Sequence, residues 1–255
     1  CRGRSAGFAH VDCLTEMAKR NEWMTISGRR GRYSRWTYCA TCLQIFSGSL
    51  EVELNRRRWR HHRDMARSED KFQAVQDLAS TLLRLEEFDV AERLYEEAAK
   101  AVQDMDDEDP VHLRAVLSCD IERAGNYNVM GRWREALEIL SRIRARVEGC
   151  GYEEIRFIYS RNTSLALAEV GRMEEALRHA ADAVELARNF YGQQSHQAIS
   201  ATCIQAQIIG RVGRVEEAKA MVGDALAAST RILGPDHRYT HAVQHTHRLV
   251  TAWTG

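Results

Sequence analysis

From residue 72 to residue 255, small and bulky apolar residues recur inside a fixed polar frame. Four segments carry it: Glu86-Glu-Phe-Asp-Val-Ala91, Gly131-Arg-Trp-Arg-Glu-Ala136, Gly171-Arg-Met-Glu-Glu-Ala176 and Gly213-Arg-Val-Glu-Glu-Ala218. Their starts lie 45, 40 and 42 residues apart. Four positions before each segment stands Leu82, Tyr127, Leu167 or Ile209, and seven before it Ala79, Ala124, Ser164 or Ala206. Seven positions beyond each final alanine comes Ala98, Ile143, Ala183 or Ala225. A repeat of this period predicts a helix–turn–helix unit. The glycine supplies a turn where a positive φ is cheap without a Cβ. The bulky residue two positions later (Phe88, Trp133, Met173, Val215) plugs the space between the two helices, and the alanine permits their close approach. One such pair cannot bury its apolar face alone, so pairs stack and share a core. The predicted pairs are 72–84 with 88–104, 113–129 with 133–147, 154–170 with 173–190, and 197–211 with 215–232. A last helix at 239–253 caps the stack, with Leu249, Val250 and Trp253 over its end.

The histidines confirm the phase. His112, His196 and His237 are 84 and 41 residues apart, in the links Asp109-Pro-Val-His112, Gln193-Gln-Ser-His196 and Gly234-Pro-Asp-His237. The chain's two prolines, Pro110 and Pro235, fall in these links, where one helix has ended and the next begins. Histidines one repeat apart are too distant to share an ion, so they are read as structural, packing over the start of the following helix.

The Gly-Arg-x-Glu-Glu-Ala frame, its spacing, and Leu233-Gly-Pro-Asp-His237 resemble the tetratricopeptide repeats of the kinesin light chain type. The resemblance covers residues 72–255. The first repeat departs from it at Glu86, and the second lacks a clear Gly-x-Asp-His link near 149–154. The fold it implies is all-α: a right-handed superhelical solenoid of about four helix-turn-helix repeats plus a capping helix. The function it implies is a protein–protein interaction scaffold in which the first helix of each pair lines a concave groove for a peptide or partner protein. The family's groove positions fall on Gln76 and Arg84, Ile121 and Asn128, Arg161, Asn162 and Leu165, and Gln207 and Arg211. Asn and Gln can satisfy an extended peptide backbone, and Arg can bind carboxylates. No phosphate loop, nucleophile elbow or His-Glu-x-x-His occurs. The pairs Glu174-Glu175 and Glu216-Glu217 open second helices, where they complement the positive helix end.

The first 70 residues are of another kind. They hold 14 Lys and Arg against 8 Asp and Glu, a net of +6, while the remaining 185 hold 22 against 28, a net of −6. Four of the seven cysteines, Cys1, Cys13, Cys39 and Cys42, fall here; Cys119, Cys150 and Cys203 lie among predicted helices. An odd count without an apolar signal segment favours a reducing compartment, hence an intracellular, cytoplasmic protein, and zinc ligation over disulfides for the N-terminal thiols. No apolar run is long enough for a membrane span. Because the chain starts at Cys1 rather than Met, a fragment of a longer product is expected.

The zinc candidates are Cys1, His10, Cys13, Cys39 and Cys42, arranged as Cys-x8-His-x2-Cys and Cys-x2-Cys. Five ligands are too many for one tetrahedral site and too few for two. Cys1-Arg-Gly-Arg-Ser5, His10-Val-Asp-Cys13-Leu14 and Cys39-Ala-Thr-Cys42 resemble the second half of a RING-CH (variant RING) finger. By that resemblance residues 1–46 form a small irregular partial finger. Cys1, Cys39 and Cys42 share one zinc, and His10 and Cys13 another, each with absent ligands. Such fingers recruit a ubiquitin-conjugating enzyme, so the alternative function is a RING-type E3 ubiquitin ligase whose repeats choose the substrate. Met17 stands where the family carries an aromatic contact residue, which weakens that alternative.

The run Arg56-Arg-Arg-Trp-Arg-His-His-Arg63 admits contact with nucleic acid or a nuclear signal. The favoured reading is a solvated basic linker helix over residues 47–71, with Leu50, Val52, Leu54 and Trp59 partly buried, so nucleic acid is the weaker expectation among partners.

Overall fold

The computed structural model describes residues 10–25, 32–40, 45–64, 69–103 and 110–253. The elements in chain order are α1 (Val11–Arg20), β1 (Trp23–Thr25), β2 (Arg32–Ser34), α2 (Ser49–His62), α3 (Glu69–Arg84), α4 (Phe88–Gln103), α5 (Pro110–Val129) and α6 (Trp133–Gly149). They continue with α7 (Glu153–Glu169), α8 (Met173–Tyr191), α9 (His196–Arg211), α10 (Val215–Leu233) and α11 (Arg238–Thr251). The periodic reading of residues 72–255 thus places every helix of that stretch to within a few residues. Among the described residues no helix is long and apolar enough to cross a membrane. The chain divides into two compact units, Cys1–Ala115 and Val116–Gly255, with the division inside α5.

In the second unit the turns follow from the repeated glycine. Gly131, Gly171 and Gly213 have φ of +73°, +83° and +90°. Each turn closes with a six-residue hydrogen bond back into the first helix: Arg132 N to Tyr127 O at 2.8 Å, Arg172 N to Leu167 O at 2.9 Å, and Arg214 N to Ile209 O at 3.2 Å. That is the Schellman ending of a helix, which places its left-handed residue just past the last turn. The arginine after each glycine then reaches the glutamate three positions on, Arg132 to Glu135, Arg172 to Glu175 and Arg214 to Glu217, at 2.6 to 2.7 Å. These pairs are solvent-exposed, so each adds little stability on its own.

The predicted small-residue positions are where helices meet. Ala136, Ala176 and Ala218, and Ala124, Ser164 and Ala206, have no exposed surface. Consecutive hairpins share clusters of side chains. Leu137 of α6, Leu167 and Ala168 of α7, Ala176 and Ala180 of α8, and Ile208 of α9 form one; Leu177 of α8 joins Ile209, Ala218, Val222 and Val250 in the next. At the end of the stack Val250 is fully buried, and the Trp253 ring lies over Gly210, where a Cβ would meet it at 2.0 Å. Leu249, expected in the cap, is 46% exposed instead.

The first unit contains the first predicted repeat, α3 and α4, with Ala79 and Ala91 fully buried. Its turn has the same geometry, Glu87 N to Leu82 O at 2.9 Å, but Glu86 occupies the left-handed position at φ +61°. The region expected to be irregular is ordered where it is described. α1, an antiparallel β1–β2 pair with Met24 opposite Tyr33, and α2 surround a core of Ala18, Trp36 and Leu54. The short β1–β2 pair departs from the expectation of an irregular segment there. The region's apolar residues supply a core of their own.

Candidate docking face

In the second unit the first helices of successive pairs touch directly, α7 against α9 and α9 against α11. No contact of comparable extent joins the second helices α6, α8 and α10 among the described residues. Rods that approach on one side and splay on the other enclose a curve, so α7, α9 and α11 lie on its inner side. The same row begins with α5, which is tied to α7 through Asn128 and Asn162.

Polar side chains on this row stitch one first helix to the next. Asn162 donates from Nδ2 to the Ile121 carbonyl at 3.0 Å, and Asn128 donates to the Asn162 carbonyl at 2.9 Å. Gly125 makes the approach possible, since a Cβ there would lie 3.0 Å from the Asn162 amide nitrogen. Arg211 pairs with Glu169 at 2.6 Å and donates to the Ala168 carbonyl at 3.0 Å. Gln207 donates to the Thr246 hydroxyl of α11 at 3.3 Å.

The groove candidates therefore separate. Ile121 and Asn162 are 1% and 3% exposed, so neither side chain offers surface to a partner. Ile121 packs in the core because it lies on the buried side of α5, and Asn162 spends its amide on the neighbouring helix. A buried amide left unbonded would cost about 1–3 kcal/mol, which explains an asparagine at that place without a ligand. Asn128, Arg161, Leu165 and Gln207 are half-buried, and Arg211 is exposed. The Arg161 guanidinium lies 5.8 Å from the Phe157 ring centre. It also opposes Glu122 of α5, whose carboxyl is pushed up by burial and pulled partly back by Arg161. Between α9 and α11 a cavity of about 110 Å³ opens among Ile204, Gln207, Ala242 and Thr246. In the first unit Gln76 is half-buried, and the Arg84 side chain lies outside the described residues.

Cys1 and Cys42 lie outside the described residues. His10 and Cys13 are exposed at the start of α1, Cys39 is half-buried, and no group of three or more metal-binding side chains forms among the described residues. The described fold offers no support for a RING-CH finger or a contact with a ubiquitin-conjugating enzyme.

The basic run is occupied by carboxylates. Arg58 of α2 has no exposed surface and lies between Glu22, at 2.6 Å, and Asp77 of α3. His62 meets the same Glu22 at 2.9 Å. Arg57 pairs with Glu53 at 2.6 Å and with Asp12, Arg60 with Glu53, Arg56 with Glu87, and Arg63 with Asp64. Burial raises the Glu22 carboxyl, but His62 and Arg58 outweigh it and hold the group below its ordinary value. Asp77 is raised by burial despite Arg58. Glu53 and Asp64 are local partners, whereas Asp12, Glu22, Asp77 and Glu87 come from other elements, which no local reading of residues 56–63 could identify.

The tetratricopeptide repeat family model matches residues 210–239, from the end of α9 through α10 to the start of α11. No curated protein matches the chain by sequence. Solved structures match by fold. One is from Podosopora anserina, described as a kinesin light chain with nearly identical TPR-like repeats. It is 20% identical, with a TM-score of 0.55 over 71% of this chain and 85% of its own. BtubC (BKLC) from P. vanneervenii is 18% identical, with a TM-score of 0.61 over 82% of this chain and 95% of its own. The apo form of RapI is 10% identical, with a TM-score of 0.57 over 80% of this chain and 77% of its own. The helical hairpins are thus of tetratricopeptide type, with structural neighbours of the kinesin light chain kind.

Proposed function

We propose that this protein is a non-enzymatic docking scaffold whose second unit holds a peptide or partner protein along the inner row of α5, α7, α9 and α11. The observation that carries this reading is the direct contact between successive first helices, which leaves Arg161, Leu165 and Gln207 along one continuous face. A partner lying there meets an arginine, an aliphatic surface and amides, a set suited to an extended peptide with carboxylates. Rigid helices hold these groups in place before binding, so less ordering entropy opposes association.

The test is affinity capture with the full chain against variants on opposite faces. Arg161→Ala combined with Leu165→Ala should reduce recovery of a specific partner by 10-fold or more, on the order of 1.4 kcal/mol. Ala181→Arg, on the exposed side of α8, should leave recovery unchanged. Loss with the outer variant and retention with the inner pair would reverse the assignment.

A further inference from the structure

Helix α11 carries a chemistry that a docking scaffold does not use. It reads Arg238-Tyr-Thr-His-Ala-Val-Gln-His-Thr-His-Arg-Leu-Val-Thr251, with three histidines and no carboxylate. His241 and His245 are four apart and both exposed, whereas Thr240, Val243, Thr246 and Val250 are buried. Residues four apart stand on successive turns of one helix face, with Cβ atoms about 6 Å apart. Two imidazoles at that spacing can close on one ion, as in the zinc-binding helix motif His-x-x-x-His.

We infer that His241 and His245 form a two-imidazole chelate for a late first-row divalent ion, Ni²⁺, Cu²⁺ or Zn²⁺, on the exposed face of α11. The donor set selects the class: imidazole suits these metals, whereas Mg²⁺ and Ca²⁺ need oxygen ligands that α11 lacks. No third metal-binding side chain joins the pair among the described residues, so water completes the ion's coordination. His247 is two residues from His245 and half-buried, on a different side of the helix. His237 caps the helix, its Nδ1 accepting from the Tyr239 amide at 3.2 Å. Arg248, three positions beyond His245, shares the exposed face, and its charge weakens binding. The ion links two turns of the last described helix, and anything that binds only the folded form stabilises it.

Calorimetric titration of the full chain with Ni²⁺ at neutral pH tests this. Wild type should show a binding step that His241→Asn and His245→Asn each weaken on the order of 100-fold, the usual advantage of a second tethered ligand. His247→Asn should keep it. Adding Leu249→His to His241→Asn restores the spacing at His245 and should restore binding, since Leu249 is exposed. Equal titrations for wild type and both single variants, or no recovery with Leu249→His, would overturn the inference. Other thiols and histidines contribute alike to every variant and cancel in the comparison.

Discussion

Replacing Glu86 with glycine should stabilise the first unit, an unusual outcome for removing a charged side chain from a surface turn. Glu86 holds φ +61° at the position where the other three turns use Gly131, Gly171 and Gly213. A residue with a Cβ in that conformation costs roughly 1–2 kcal/mol. Glycine returns about 0.5–1 kcal/mol of that as chain entropy lost on folding. The net gain is about 0.5–1 kcal/mol for Glu86→Gly, near 4 °C in the melting midpoint of a unit this size. The converse, Gly171→Ala, should destabilise the second unit by a similar amount. No atom lies within 4 Å of the added Cβ, so only the backbone is perturbed. Urea titrations should shift in midpoint with unchanged slope. Hydrogen exchange resolved to peptides should place the first change in α3–α4 and the second in α7–α8. The neighbouring Arg56–Glu87 pair is exposed and contributes little to either result. A stability loss with Glu86→Gly, or no effect from either substitution, would refute the equivalence of the four turns.

Arg58→Ala removes the buried guanidinium between Glu22 and Asp77 and should cost about 3–5 kcal/mol in denaturant, whereas exposed Arg60→Ala should stay within about 0.5 kcal/mol. Thiol labelling of the native chain should modify exposed Cys13 quickly. Cys119, whose thiol burial pushes far up, and Cys203, pushed up to about 11, should react only as the second unit opens. His179 is lowered below its ordinary value by burial first, with Arg144 and Arg178 adding to it and Asp182 opposing. The unfolded chain therefore binds the proton more readily, so His179 favours folding above pH 6.5 and that contribution fades as pH falls through its lowered folded value. His179→Gln should flatten the acid limb of the second unit's stability against pH; an unchanged slope would remove His179 as its source.

What the sequence revealed and what it hid differ in range. The hairpins were legible because each turn is specified within six residues, by a glycine in the left-handed position and an alanine at the helix contact. Even the exception was visible, since Glu86 breaks the pattern and carries the strain. The groove candidates were legible only as positions. Asn162 looks like a peptide ligand on a helical wheel, but its amide is used by the Ile121 carbonyl 41 residues away. Arg211 is likewise partnered by Glu169 from the preceding repeat. Several partners of the basic run, Glu22, Asp77 and Glu87, are likewise distant in sequence. The core of Ala18, Trp36 and Leu54 draws on three separated segments, and no local periodicity announces it.

Photo-crosslinking from single sites on the full chain tests the docking face most directly. A photoreactive amino acid at Leu165, on the inner row, should capture a discrete protein partner. The same group at Ala181, on the outer side of α8, should capture none above background. Equal capture at both positions, or capture at Ala181 alone, would contradict a partner held along α5, α7, α9 and α11.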